Sequence, residues 1–182
     1  MEIKPNRARC QQYSSIGGRP HRRWRVWMSF RLAAYAVCIE DGRVLLVRHV
    51  PRGGAGNWTL PGGRVEHAED PFDAVTREFA EETGCRGVVE RLLGVDSRVI
   101  PADVARAGVE HQNVGVFYRI RVSGGRIEPE ADGATAEPTW TRVRDVEGLR
   151  RSSLVDIGLA MARTLPASGH VAAVPVGGLI QH

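Results

Sequence analysis

The chain has 182 residues, of which 42% are hydrophobic, 25% charged and 6% aromatic, a composition that excludes a disordered or collagen-like chain. No apolar run approaches the roughly 20 residues that cross a bilayer, so the sequence excludes a transmembrane protein and no membrane partner is expected. Reduced thiols are the default interpretation of its three cysteines, which predicts a cytoplasmic protein. Cys10, Cys38 and Cys85 are far apart and form no Cys-x-x-Cys pair, which argues against a disulfide framework or a structural zinc site.

The net charge of +4 is unevenly distributed along the chain. Residues 1–31 carry eight basic side chains against one acid, Glu2, for a charge of +7, which leaves −3 for the rest. The basic character therefore belongs to an irregular arm at residues 1–29 and does not indicate a nucleic-acid surface on the domain. Three interpretations of the arm stay open: a dispensable extension over residues 1–27, a contact with RNA or anionic lipid, and a transit peptide.

The first predicted elements are the two strands of a hairpin. Leu32–Ile39 and Arg43–Arg48 are apolar runs separated by Asp41-Gly42, a strong signal for a two-residue turn. Further extended segments are predicted, in order, at Trp58–Gly63, Val88–Val95, Val114–Val122, Arg126–Glu128 and Pro138–Val143, with Gly124-Gly125 as the turn before Arg126.

Two helices are predicted among these strands. The first spans Pro71–Thr83, because Asp70 is a good N-cap before a proline and Gly84 allows a left-handed stop. The second spans about Leu154–Thr164 and carries a broad apolar stripe. We expect a domain over residues 30–164, a flexible tail over 165–182, and an α/β fold in layers around a mixed sheet.

The first helix carries an unusual group of acids. Glu78, Glu81 and Glu82 share one face, about 100° from the face that we expect to dock on the sheet through Phe72, Val75 and Phe79. Like charges at this spacing repel each other, so a bound cation would stabilise the group. Carboxylate oxygens suit Mg²⁺ or Mn²⁺ better than zinc.

Residues just before the helix extend this acidic group. Glu69 precedes the helix, and the Gly62-Gly63 turn can bring a backbone carbonyl close to the same place. Arg77 lies beside the acids and can pair with Glu69 or another carboxylate, which would fix its rotamer. Divalent cations held here would in turn bind phosphate oxygens and activate a water.

The stretch Gly63–Cys85 resembles the Nudix box, and every specified position is filled: Gly63, Glu69, Arg77, Glu78, Phe79, Glu81, Glu82, Gly84 and Cys85. The resemblance extends over about residues 31–163. It implies the Nudix α/β/α sandwich with a mixed β-sheet. It also implies Mg²⁺-dependent hydrolysis of nucleoside diphosphates linked to another moiety, in which water attacks one phosphorus of the pyrophosphate.

The resemblance also implies roles for individual residues. Glu78 and Glu82 are expected to be metal ligands, and Glu81 a ligand or the base. Glu69 and the Gly63 carbonyl complete the predicted shell, and Arg77 orients the acids. A base from a later loop is an alternative, with Glu110 and Glu137 as the candidates, although each is more often a surface carboxylate. The candidate substrate contacts are Arg48, Trp58, Pro61, Gly62 and Pro101, where Trp58 is more often a core residue.

The substrate is expected to be a small nucleotide. Pro101 lies sixteen residues beyond Cys85, where the resemblance places a proline in ADP-ribose pyrophosphatases, so ADP-ribose or a nucleotide sugar is favoured. The alternatives are an oxidised nucleoside triphosphate, an RNA 5′ end, and a Nudix-fold ligand sensor without activity. A homodimer is compatible with the sequence.

Overall fold

The structure of the chain is a computed structural model that describes residues 28–50, 56–103, 105, 108–128 and 135–171. The described elements follow in chain order: β1 (Ser29–Val37), β2 (Ile39–Glu40), β3 (Arg43–His49), β4 (Asn57–Thr59), β5 (Gly62–Arg64), α1 (Pro71–Thr83), β6 (Cys85–Ile100), β7 (His111–Gly125), β8 (Thr135–Arg142), a 3-10 helix (Val143–Gly148) and α2 (Ser153–Thr164). The basic arm at residues 1–27 lies outside the described residues.

The first sheet has the strand order β5-β1-β7-β6. β1 runs parallel to β7 and antiparallel to β5, and β6 runs antiparallel to β7, so the mixed sheet predicted from the sequence is confirmed. The register places Tyr35 opposite Gly62 on one side and Phe117 on the other. β1 is therefore the strand that connects the glycines of β5 to the centre of the sheet.

A second, antiparallel sheet was not predicted. It has the order β2-β3-β4, and β8 pairs with the other edge of β3. The predicted turn at Asp41-Gly42 is confirmed, since both residues have positive φ, at 48° and 71°, as a tight hairpin turn requires. The hairpin itself contains only Ile39–Glu40 before the turn, because the chain leaves the first sheet after Val37 and enters the second one.

The prediction of a strand at Arg126–Glu128 is wrong. Gly124 and Gly125 do not form a turn, because both remain in β7 and pair with Arg86 and Cys85 of β6. The chain then runs past the end of α1, where the Glu128 amide donates to the Thr83 carbonyl at 3.0 Å. β6 and β7 also extend beyond the predicted strands, across three register shifts that interrupt the alternating pattern.

The two helices cover opposite sides of the first sheet, as expected for an α/β/α sandwich. On one side Val75 and Phe79 of α1 pack with Ala34, Ala36 and Ile120. On the other side the apolar stripe of α2 packs with a cluster that includes Tyr35, Val37, Leu46, Leu60 and Phe117. No helix in the described part of the chain is long and apolar enough to span a membrane.

The segment after α2 packs on the first sheet. Its Gly169 carbonyl accepts a hydrogen bond from the Val95 amide of β6 at 2.9 Å, and Val171 packs partly buried against the core. Residues 165–171 thus have defined contacts in a region expected to be a flexible tail, and residues 172–182 lie outside the described part.

Candidate active site

Local signals set both ends of α1. The Asp70 carboxylate accepts a hydrogen bond from the Phe72 amide at 2.8 Å, and Pro71 opens the first turn. At the other end Gly84 has φ 71°, and a Cβ there would lie 2.6 Å from the Arg126 carbonyl oxygen. The predicted bounds of α1 are therefore confirmed.

One residue of the predicted docking face lies elsewhere. Val75 and Phe79 are fully buried, but Phe72 is 48% exposed and meets the Tyr118 ring in a T-shaped contact at a centroid distance of 6.2 Å. The first three residues of α1 are not buried, so the expectation of a buried Phe72 was wrong. The neighbouring face presents the carboxylates, as predicted.

Arg77 lies at the centre of these carboxylates. Its Nε and Nη2 donate to the two oxygens of Glu69 at 2.8 and 3.0 Å, and Nη1 donates to Glu78 at 2.9 Å and to Glu81 at 3.0 Å. Nη2 also donates to the Arg64 carbonyl at 3.2 Å, which connects the network to β5. The hydrogen bonds from Arg77 lower the pKa of Glu69 to about 2.

Glu69 serves this network from outside the helix. Its Oε2 also accepts the Glu66 amide at 2.8 Å, so both of its oxygens already have donors. This geometry makes Glu69 a positioning residue for Arg77, whereas the sequence suggested a metal ligand. Its ligand role stays a prediction.

Glu78 and Glu82 both reach the glycines of β5. The buried Glu82 accepts a hydrogen bond from the Gly62 amide at 2.8 Å. A Cβ on Gly63 would lie 2.5 Å from Oε2 of Glu78, so the missing side chain makes room for that carboxylate. Burial raises the pKa of Glu78, and the hydrogen bond from Arg77 opposes this rise.

These donors fit a hard cation in kind, since they are carboxylate oxygens beside the glycine backbone of β5. Their present positions do not form a ready site: among the described residues, no group of three Asp, Glu, His or Cys side chains is arranged to hold a metal ion. The reason is visible in the contacts, because Arg77 occupies Glu78 and Glu81 while the Gly62 amide occupies Glu82.

The two later base candidates lie apart from each other. Glu137 is on the second sheet, with a positive φ of 55°, and forms an exposed ion pair with Arg48 at 3.3 Å. Glu110 precedes β7, and its carbonyl accepts the Ser29 amide at 2.8 Å at the start of β1. Their roles stay predictions.

The predicted substrate contacts are also divided between two places. Pro61 and Gly62 adjoin the acidic face, where the Pro61 carbonyl accepts the Ala36 amide at 2.8 Å. Arg48 and Trp58 are opposed on β3 and β4. Trp58 is partly buried and packs against the core, in line with the core role that its residue type favoured. Pro101 is exposed at the start of the loop that connects β6 to β7.

Sequence reasoning missed a polar group on β1 and β7. Arg31 and Asn113 are directly opposed in the parallel register, and the Asn113 amide lies 3.5 Å from the Tyr35 hydroxyl. Ser29, Arg31 and Tyr35 share one face of β1 and were the available signal, but Arg31 was counted with the basic arm.

Comparison with known proteins decides the family. A family model described as the NUDIX domain matches residues 29–157, well over half of the chain. The chain belongs to the Nudix family. Nudix proteins of this kind are hydrolases that act on pyrophosphate bonds.

Individual Nudix relatives support this assignment. An ADP-ribose pyrophosphatase of Methanocaldococcus jannaschii is 31% identical over 122 residues, which are 67% of this chain and 69% of that protein. A MutT-like protein of Streptomyces ambofaciens is 38% identical over 103 residues, and the chain spans 58% of its length. A solved NUDIX hydrolase from Nitrosomonas europaea has a TM-score of 0.62 at 24% identity over 73% of this chain and 88% of that one, which shows the fold.

Proposed function

We propose that this Nudix chain hydrolyses the pyrophosphate bond of a nucleoside diphosphate derivative, with ADP-ribose or a nucleotide sugar as substrate. The observation that carries the proposal is the approach of two carboxylates, the buried Glu82 and the partly buried Glu78, to the glycines of β5. The ADP-ribose pyrophosphatase relative and the position of Pro101 support this substrate class.

Mg²⁺, or Mn²⁺ in its place, is the proposed cofactor. Glu78, Glu82 and the Gly63 carbonyl would hold it, and Glu81 would bind it or its water. A divalent cation supplies charge neutralisation at phosphate oxygens and a more acidic water.

The chain's own residues prepare this site. Glu69 holds Arg77 by two hydrogen bonds, and Arg77 in turn limits the rotamers of Glu78 and Glu81. Glu81 is half-exposed, so it can take a proton from a water and release it to solvent. Glu110 and Glu137 are the alternative bases.

The test is a panel of nucleotides incubated with the full chain and either Mg²⁺ or Mn²⁺. We expect ADP-ribose or a nucleotide sugar to be cleaved to a nucleoside monophosphate and a second phosphate product. Preferred cleavage of 8-oxo-dGTP would replace the substrate class and keep the reaction. Nucleotide binding without any phosphate product would identify a ligand sensor and overturn the proposal.

A separate experiment tests the role of the basic arm. A chain without residues 1–27 should cleave small nucleotides at the same rate as the full chain. A loss confined to 5′-triphosphorylated RNA would instead assign the protein to RNA 5′ ends.

A further inference from the structure

A second polar group lies on the first sheet, on the face that α2 also covers. The register β1-β7-β6 places Arg31, Asn113 and Arg98 in one row across three strands, so their side chains leave the same face. The next row contains the small residues Ala33 and Gly115. A Cβ on Gly115 would lie 3.0 Å from the Tyr35 ring, so that ring lies over the glycine.

Two atoms of this group are buried and have no hydrogen-bond partner within the described ranges: Nε of Arg31 and Oδ1 of Asn113. Asn113 is only 3% exposed, and its amide nitrogen has one long contact, 3.5 Å from the Tyr35 hydroxyl. Buried polar atoms are normally paired, so a donor and an acceptor left in this state on neighbouring strands indicate that a ligand completes them.

The charges point to an anionic ligand. Among the residues that the structure describes, neither Arg31 nor the exposed Arg64 of the neighbouring β5 forms an ion pair, whereas Arg98 pairs with Asp96 at 3.0 Å. Arg31 lies opposite Asn113, two residues along β7 from His111. Burial lowers the pKa of His111, and the charges of Arg31 and Arg64 lower it further. The excess positive charge is therefore local.

The group also adjoins the acidic face. The charge of Arg31 opposes the rise that burial causes in the pKa values of both Tyr35 and Glu78. Arg31 thus lies within electrostatic reach of Glu78 but forms no ion pair with it, because Glu78 is taken by Arg77 at 2.9 Å. A guanidinium in this position is available to a phosphate whose other oxygens would bind the cation that Glu78 would hold.

We propose that Arg31 is a substrate-binding residue that holds a phosphate oxygen of the diphosphate, in a polar floor completed by Asn113 and Tyr35. The inference rests on the proposed function and assigns this part of the substrate to β1 and β7. Arg31 binds the ground state as well as the transition state, so its loss raises KM more than it lowers kcat.

Methylenediphosphonate, a diphosphate that cannot be hydrolysed, is the probe, titrated calorimetrically with Mg²⁺ into the full chain. Arg31→Gln should weaken its binding about tenfold or more, and Arg31→Lys by less, since lysine keeps the charge but loses the fork of donors. Arg121→Gln is the matched control, because Arg121 is an exposed arginine that pairs with Glu90 on the distant part of the same strands. It should bind as the unchanged chain does.

The outcomes separate this inference from the proposed function. A folded Arg31→Gln chain with unchanged affinity for methylenediphosphonate and unchanged KM overturns the inference, because Arg31 then does not bind the substrate. Failure of the unchanged chain to bind the probe overturns it as well. Binding through Arg31 without cleavage of any nucleotide supports the anion site and overturns the proposed hydrolysis. If Arg31→Gln does not fold by circular dichroism, the binding and KM of Arg31→Lys decide in its place.

Discussion

Two arginines of this molecule lie among carboxylates and serve different ends. Arg151 is nearly buried and meets a single acid, Asp156, at 2.8 Å, with the Glu147 and Leu149 carbonyls as further acceptors. Its charge is balanced, and its segment is bonded to β4 through Trp58. Arg77 is more exposed and meets three acids, so its surroundings keep a negative excess.

This difference distinguishes a structural ion pair from a site. A buried pair with matched charges needs nothing further, and removal of one partner mainly affects folding. Arg77, by contrast, carries one positive charge among three carboxylates. The uncompensated negative charges repel each other, and a bound cation would relieve this repulsion. Five variants in four experiments test this contrast, and they follow in order of expected effect.

Glu78→Gln and Glu82→Gln should each lower turnover by about 10³-fold, because each removes a charge that the proposed cofactor needs while glutamine keeps the shape and an acceptor. The measurement is phosphate release at saturating Mg²⁺, with circular dichroism to check the fold. Asp73→Asn on the exposed first turn of α1 is the matched control and should retain full activity. Comparable turnover in either glutamine variant would refute the assignment.

Asp156→Ala should lower the free energy of unfolding by about 3 kcal/mol, because it leaves the guanidinium of Arg151 buried without its partner. Urea denaturation measures this loss. Turnover per folded molecule should stay unchanged under conditions where the variant is folded. Lost turnover at full stability would remove the contrast between the two arginines.

Gly63→Ala should lower turnover by about 10²-fold and leave stability close to that of the unchanged chain. The new methyl group displaces the Glu78 carboxylate, the end of a flexible side chain, and a small misplacement of a reacting group has an effect of this size. Steady-state kinetics and thermal unfolding test both parts. An active Gly63→Ala chain would show that the close approach of Glu78 is unimportant.

Glu69→Gln tests the pH dependence of the Arg77 network. The pKa of Glu69 is lowered from 4.5 to about 2, so its contribution to stability is present above pH 4.5 and is lost as the pH falls towards 2. The difference in unfolding free energy between the unchanged chain and the variant should therefore shrink across this range. A difference that stays constant from pH 6 to pH 2 would mean that Arg77 does not select the ionised form of Glu69.

The site was predictable where the signals are local. Asp70, Pro71 and Gly84 set the ends of α1 through contacts within a few residues, so the bounds of the helix follow directly from the sequence. The spacing of Glu78, Glu81 and Glu82 then gives their common face. The family comparison adds the reaction class to this geometry.

Features that depend on distant parts of the chain were not predictable. The second sheet requires the chain to change sheets at Cys38, between two strands that look continuous in the sequence. The row of Arg31 and Asn113 depends on a parallel register between residues about 80 positions apart. Gly124-Gly125 resembles a turn, and only pairing with β6 keeps these glycines in a strand.

The hydrogen bond from the Val95 amide to the Gly169 carbonyl protects the chain against self-association. β6 is the outer strand of the first sheet, and several of its apolar side chains are exposed. An open strand of this length is a template for aggregation, and the segment after α2 lies across its middle and occupies an outward amide. Any shortened version made for crystallisation should therefore keep residues 165–171.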